Sequence, residues 1–411
     1  MIFVVFKHRD EQQIEIKHKI FLALKSTGFI VGTAVAVSYR YLSRQLVLAA
    51  AFATIAIFYT VIPLAGTPDA LYFFGFTIGF GSSVLLSALY VWSVELWRGS
   101  RVPAVQIIQL VYNVGYIISS DPLYEFLLKQ EISSEIRIDE DTDVRTRLMK
   151  PRWAIGMTML IVPIILIVLY FVAPYKNNTG ADDDDDNNDK RNGQGAINYD
   201  NNDDEKIFDD LDSTGIIVRA LFALLLALFA ICEVMLIARC TGFYGSYLRS
   251  LPLNLSLDVS LKMINTILYV MTAGSLINLL LPIIRVDMKY TVGAHLFLVT
   301  IGAILQFPGR TSLSSLWASN VFLGLGYSGM FANVITYAEQ YMSITDTLFS
   351  LFLSMKGLVG LVLPFICFKV LADDQIVVYT VVQFLYVPLS LTAFVAIVLL
   401  VYRHSYHSSD E

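Results

Sequence analysis

Two charged residues, Glu233 and Lys356, stand deep inside apolar runs in the second half of this chain, and they are the first candidates for chemistry. An ionised side chain in hydrocarbon costs at least about 2.5–3.5 kcal/mol on insertion scales, so each calls for a partner or a wet path. One reading pairs them across an interior space, with Glu233 able to take a cation or proton and Lys356 standing in for a bound cation. The other makes them a structural ion pair or, for the lysine, a snorkelling side chain. A second group is polar and uncharged. Gln106, Gln109 and Asn113 recur at i, i+3 and i+7, which sets three amides on one helical face beside Tyr112. Amides with a nearby ring (Tyr90, Trp92 or Tyr269) suit the hydroxyls of a small polar solute; the same amides can equally bond helix to helix. Asn265 and Asn333 are of the same kind. His295 is the one histidine well inside an apolar run and shows no partner, which reads as packing.

The elements that must position these residues are membrane helices. Of 411 residues 56% are hydrophobic and only 16% charged, well below the roughly 25% charged residues of a soluble domain. Runs of about 20 apolar residues can cross a bilayer only as helices, because each backbone polar group must be bonded internally. The sequence predicts eleven such spans, at 21–39, 46–65, 70–95, 103–128, 153–174, 215–240, 258–283, 290–307, 314–338, 346–371 and 375–402. The fold class is therefore an all-α polytopic membrane protein whose lipid partner is the bilayer itself. Residues 1–20 form an N-terminal extramembrane segment, 21–174 a bundle of five helices, 215–403 a bundle of six and 404–411 a tail. Between the bundles, 175–214 holds Asp182 to Asp186 with many Asn and Gly residues. Such a tract cannot bury enough apolar surface to order itself and reads as an acidic, disordered cytoplasmic linker. Cys232, Cys240 and Cys367 have no metal or disulfide spacing and read as small buried hydrophobes.

The two bundles share an internal repeat. Gly79, Gly81 and Ser83 recur as Gly324, Gly326 and Ser328, and Val114-Gly115 as Val359-Gly360, each at an offset of 245. Matches six helices apart predict a twelve-helix plan in which the first place is vacant. Gly28 with Gly32 and Gly75 with Gly79 form G-x-x-x-G pairs that let helix backbones approach, which suits two halves that rock against each other.

Several stretches then resemble the major facilitator superfamily, in particular its sodium-dependent glucose transporter branch. Gly324 to Phe331 followed by Tyr337-Ala-Glu-Gln-Tyr341 is similar to that branch's tenth helix, and Ser350 to Pro364 to its eleventh. Pro103 to Gln106, Gly115 and Asp121-Pro122-Leu123 resemble its fifth, Glu233-Val234 its seventh and Asn265-Thr266 its eighth. Arg40-Tyr41 with Ser43-Arg44 is similar to the basic loop between helices two and three. The resemblance implies a two-bundle fold with a central solute site and alternating access, a hexose such as glucose as solute, and sodium or a proton as coupling ion. It implies too that Arg40 and Arg44 with Glu95 and Glu339 latch one face shut. The departures are mostly losses of charge: the branch's polar positions fall here on Leu86, Tyr90, Gln109, Ser275 and Leu361, and Tyr39 stands where an aspartate is usual.

The loops bearing Arg40, Arg44, Arg98, Arg101, Arg285 and Lys289 share one side, which the positive-inside rule makes cytoplasmic. The plasma membrane is the expected setting. Asn254-Leu-Ser256 then becomes an accessible glycosylation sequon outside. Two functions stand: a secondary transporter or facilitator of a small polar solute, or a non-transporting membrane scaffold or regulator descended from one. No clustered metal ligands, nucleophile motif or phosphate loop points to an enzyme or an ATP-driven pump, and nothing points to nucleic acid.

Overall fold

The apolar runs take the one form hydrocarbon allows. The structure, a computed structural model, describes residues 11–36, 42–62, 65, 67–96, 104–118, 156, 159–172, 220–229, 244–282, 284, 286–341, 346–372 and 376–408. Arg40, Glu233, Cys232, Cys240, the sequence 175–214 and the connection 129–152 lie outside the described residues, as do the side chains of Glu95 and Cys367.

Among the described residues the helices in chain order are α1 (Glu11–Ala36), α2 (Arg44–Val61), α3 (Pro68–Leu96), α4 (Ala104–Ile118), α5 (Met159–Val172), α6 (Ala220–Phe229), α7 (Tyr244–Arg249), α8 (Leu257–Leu280), α9 (Met288–Gly309), α10 (Leu313–Tyr327), α11 (Met330–Glu339), α12 (Asp346–Ala372) and α13 (Ile376–Ser408). Every expected span holds a helix, and the fold is that of a polytopic membrane protein. Where α8, α9 and α10 begin, Ser256, Asp287 and Ser312 accept from the first-turn amides of Val259, Lys289 and Ser315, which satisfies donors that helix geometry leaves open.

Three boundaries differ from expectation, one of them at α13, which runs to Ser408 through most of the expected tail 404–411. Helix α1 begins at Glu11, ten residues before the predicted start at 21. Its first turns, Glu-Gln-Gln-Ile-Glu-Ile-Lys, are strong helix formers, so the helix continues past the apolar run. The span 314–338 is two helices, because the chain breaks at Ser328-Gly329, where Gly329 has φ −143 and ψ 11. Glycine disfavours helix by about 1 kcal/mol, and a Cβ there would overlap the Asn278 amide nitrogen.

The repeat is carried by whole elements. Adding 245 to the bounds of α1 gives 256–281, against 257–280 for α8; α2 maps to 289–306, against 288–309 for α9. Helix α3 maps to 313–341, which α10 and α11 fill from 313 to 339. The repeated glycines are contact points. A Cβ at Gly79 would overlap the Lys25 carbonyl, one at Gly28 the Phe76 carbonyl, and one at Gly324 would lie 3.0 Å from the Ile267 carbonyl. Thus α1 lies against α3 as α8 lies against α10, backbone to backbone, which is the packing role of small residues in membrane helices.

The cores follow the halves. Phe222, Phe229, Tyr247, Met263, Val292, Leu323, Tyr327 and Phe394 belong to one cluster that joins α6 to α11 and α13. Leu48, Ala51, Val84 and Ala88 join α2 to α3, with Leu166 of α5 against them. A further cluster draws on both halves: Tyr90 and Val91 of α3 and Val105 of α4 meet Ala332 and Ile335 of α11 and Phe349, Phe352 and Leu353 of α12.

Candidate functional site

The seam between the halves is where the predicted amides are found. Gln106 of α4 donates to Asn333 Oδ1 of α11 at 2.5 Å. Asn113 Nδ2, two turns on, lies 2.6 Å from Ser275 Oγ of α8 and 3.1 Å from the Ser328 carbonyl, while Gln109 donates to Asn113 Oδ1 at 3.2 Å. All three α4 amides are buried. The break at Ser328-Gly329 gives Asn113 a backbone acceptor. A carbonyl released from a helix needs a protein donor at this depth, and Asn113 and Ser275 Oγ (2.5 Å) supply it.

Behind the break lies His295, and it is not mere packing: it has buried partners that its sequence context did not show. Its Nδ1 lies 2.7 Å from the Thr291 carbonyl, so that nitrogen carries the proton and Nε2 accepts from Asn278 Nδ2 at 3.0 Å. The other Asn278 N–H points to Ser328 Oγ, also at 3.0 Å, and Ser328 Oγ donates to the Leu325 carbonyl. A continuous buried polar chain therefore runs from α9 through α8 and the broken helix to α4 in the other half.

The second seam joins α1 to α12. Thr33 Oγ1 and Ser354 Oγ are 2.7 Å apart. Gly357 faces Ile30 and Phe29, and a Cβ on Gly360 would lie 2.7 Å from Ser26 Oγ. Lys356 adjoins Gly357, and Lys25 adjoins Ser26, so one lysine from each half flanks the same close contact. Lys25 is not among the residues that the sequence pattern singles out. It is close enough to feel the charge of Lys356 and the hydroxyl of Tyr112.

Helix periodicity fixes which way these residues face. At about 100° per residue, Lys25 is at least 120° from the exposed Ile20, Val31 and Ala34 of α1 and about 80° from Val35. Lys356 is at least about 120° from the exposed Leu351, Leu358, Val362 and Phe365 of α12, and Tyr112 is about 100° or more from Ile107, Val111, Val114 and Ile118 of α4. Each therefore turns away from the centre of its helix's lipid-type face. Lys25 and Tyr112 are nonetheless exposed and Lys356 half-buried, which places accessible space between the halves. The Lys356 ammonium stands 5.7 Å from the centre of the Phe331 ring, and the Tyr112 and Tyr116 hydroxyls are 2.9 Å apart.

One end of this space is closed. Tyr90 of α3 packs on Phe331 and Phe349 with ring centres 5.4 Å apart in each case, and Phe331 packs on Phe352 at 5.1 Å. These rings lie toward the end where α3 and α11 stop and α4 and α12 start. The cross-half bonds at Gln106, Asn113 and Thr33 lie at that end or near mid-depth. Farther along α4, Gly115 borders open space and Ile118 is 61% exposed.

The remaining predicted residues fall elsewhere. Tyr269 is exposed on α8 along the line of Leu276 and Leu280, and Asn265 is half-buried one turn before it; neither shares the face of Ser275. Trp92 packs against the core of the first half. Arg44 and Glu339 are both buried, at the first residue of α2 and the last of α11. Asn254 is exposed with φ 48, in the turn whose Ser256 caps α8.

Known proteins share this architecture. The profile of the Major Facilitator Superfamily matches residues 20–364. Among solved structures the chain is similar to a Major Facilitator Superfamily transporter, FucP, in the outward conformation, at TM-score 0.62 and 14% identity over 97% of this chain and 91% of that one. It is similar also to a single-residue variant of the E. coli fucose:proton symporter FucP, at TM-score 0.63 and 13% identity over 96% and 95%. At such identities the likeness is one of fold. No curated protein matches the sequence.

Proposed function

We propose, from the premise that this chain belongs to the Major Facilitator Superfamily, that it is a secondary transporter or facilitator moving a small polar, sugar-sized solute by alternating access. The observation that carries the reading is the seam. Four rings close the halves at one end, while Lys25 and Tyr112 stay accessible beyond them. A protein closed at one end of an interior space and open beyond it occupies one of the two states that alternation requires. The broken helix α10–α11 supports this, since irregular backbone at membrane depth is tolerated only within protein or beside a cavity.

The finer reading is a hexose, glucose first, with sodium or a proton as coupling ion. It rests on the resemblance of the α10–α12 and α4 sequences and on the fold shared with a fucose:proton symporter. In that reading Gln106, Gln109, Asn113 and Asn333 hold the seam in the present state and become available to solute as it opens. The membrane is the plasma membrane, with Arg44 and Glu339 on the cytoplasmic side and Asn254 outside. The test is counterflow in proteoliposomes with labelled D-glucose and L-fucose, then with a wider panel of small polar solutes, with and without sodium and proton gradients. Saturable exchange of a panel member supports transport. Absence of exchange for all of them, in protein that is folded by thermal unfolding, would leave the scaffold.

A further inference from the structure

We infer that the accessible space between the halves binds a small hydroxylated carboxylate, a sugar acid such as a hexuronate, through Lys25 and Lys356. The inference deepens the transport reading and rests on it only for the steps after binding. Its ground is a pair of like charges. Two lysines, one from each half, flank the close contact of α12 with α1 at Gly357 and Gly360 and turn toward the same interior space, and a charge on either is costly at this depth. Among the described residues neither has a carboxylate partner. Snorkelling does not account for them. The Lys25 carbonyl meets Gly79, which is 11 residues from the start of α3 and 17 from its end, about 16 and 26 Å along the axis. Lys356 is 10 residues into α12 and 16 from its end, about 15 and 24 Å. Neither side chain can span such a distance to the headgroups.

The surroundings suggest what else the ligand carries. The Phe331 ring beneath Lys356 offers a face for the apolar side of a pyranose. Tyr112 and Tyr116 bring two hydroxyls, each able to donate and accept as sugar hydroxyls require. A neutral hexose would satisfy the rings and hydroxyls but bring neither lysine a counter-charge. A carboxylate on the same ring would compensate them and could be held between the two lysines. The same positive site would repel a cation bound beside it, so a sodium ion, if one is coupled, must sit elsewhere.

The experiment uses D-glucuronate and D-glucose, which differ in having a carboxylate or a hydroxymethyl at one carbon, with inorganic phosphate as a third probe. Binding to the purified full chain is read as a ligand-dependent rise in Tm, and counterflow is measured separately. Glucuronate is expected to stabilise the protein and glucose to do so at least tenfold more weakly in concentration. Lys25→Gln and Lys356→Gln should each weaken glucuronate binding roughly tenfold, the scale of one favourable charge contact, whereas Lys25→Arg should hold it within about threefold. Equal stabilisation by glucose, or unchanged glucuronate binding in folded glutamine variants, overturns the inference. Stabilisation by phosphate but not glucuronate overturns the sugar-acid assignment. If the glutamine variants do not fold, the glucuronate–glucose comparison on the unaltered protein decides. Lysine-dependent glucuronate binding without counterflow would leave the site standing and remove transport.

Discussion

Asn113→Leu tests whether the polar seam holds the described state. The substitution keeps the side chain's approximate volume and removes two donor contacts, to Ser275 Oγ at 2.6 Å and to the Ser328 carbonyl at 3.1 Å. Interhelical hydrogen bonds in bilayers average about 0.6 kcal/mol and reach about 1.7, so the loss amounts to roughly 1–3 kcal/mol. Where those bonds exist only in the state closed at the ring cluster, that range shifts the equilibrium about 5- to 150-fold toward the opposite state. Spin labels at Thr67 and Leu313 would read the shift. Both are exposed, at the starts of α3 and α10, the end of the bundle away from the rings. In a background with Cys232, Cys240 and Cys367 replaced, Asn113→Leu should enlarge the short-distance population between them. Thr33→Val, which removes the single bond to Ser354, should act in the same direction and more weakly. Unchanged distance distributions in both folded variants would refute the reasoning, because the bonds would then persist in both states.

Gly329→Ala should lower stability by about 1–3 kcal/mol, as overpacking does, because its Cβ overlaps the Asn278 amide; thermal unfolding of Gly329→Ala, Asn278→Ala and the pair should show a coupling of about 0.5 kcal/mol or more, and additive losses would exclude the clash. Gly79→Val should force α1 from α3 at the Lys25 carbonyl and cost as much or more, whereas Gly115→Ala, which borders open space, should stay within about 0.5 kcal/mol by the same measurement. Expression in a glycosylating cell should give a glycosidase-sensitive mobility shift that Asn254→Gln abolishes; a shift that survives it and vanishes with Asn177→Gln, at the sequon Asn177-Asn-Thr179 on the other side of the expected topology, would invert that topology.

The spans, their order and the repeat were legible because each rests on a long-range regularity. Twenty apolar residues leave the backbone one solution, and Gly79 and Gly324, 245 residues apart, mark a backbone contact that both halves make. The α4 stripe was legible too, since Gln106, Gln109 and Asn113 share a face by period alone. What that face meets was not. The Ser328 acceptor exists only because the helix breaks, and Ser-Gly inside an otherwise apolar run is a weak signal for a break when Gly324 and Gly326 nearby stay helical. The partners of His295 are set by tertiary contact, 17 residues away at Asn278 and 33 at Ser328. Lys25 was hidden because Lys17, His18 and Lys19 precede it closely, so it reads as the end of a basic flank. The contact of its carbonyl with Gly79, midway along α3, puts it at depth instead.

The divergence of the repeat bears on how occupancy could drive the cycle. At the 245-residue offset Lys25 corresponds to Val270, Lys356 to Val111 and Gly329 to Val84. Each half thus keeps one charge where the other has valine, and only the second half breaks its helix, since α3 runs on through Val84. A pair of like charges carried on opposite halves acts on the distance between those halves. Two unit charges about 4 Å apart at an effective dielectric near 20 repel by about 4 kcal/mol, and by about half of that at twice the distance, the scale of the cross-half hydrogen bonds together. Drawing the open end shut without a ligand would bring such charges into a drier space and raise that cost. An anion between them would reverse its sign. Closure would then favour the occupied protein. Replacing both lysines by glutamine should therefore do more than weaken binding. It should let the empty carrier close, seen as a short Thr67–Leu313 distance in the absence of any solute. A doubly substituted protein whose distances match the unaltered chain, with and without glucuronate, would separate the charges from the conformational cycle altogether.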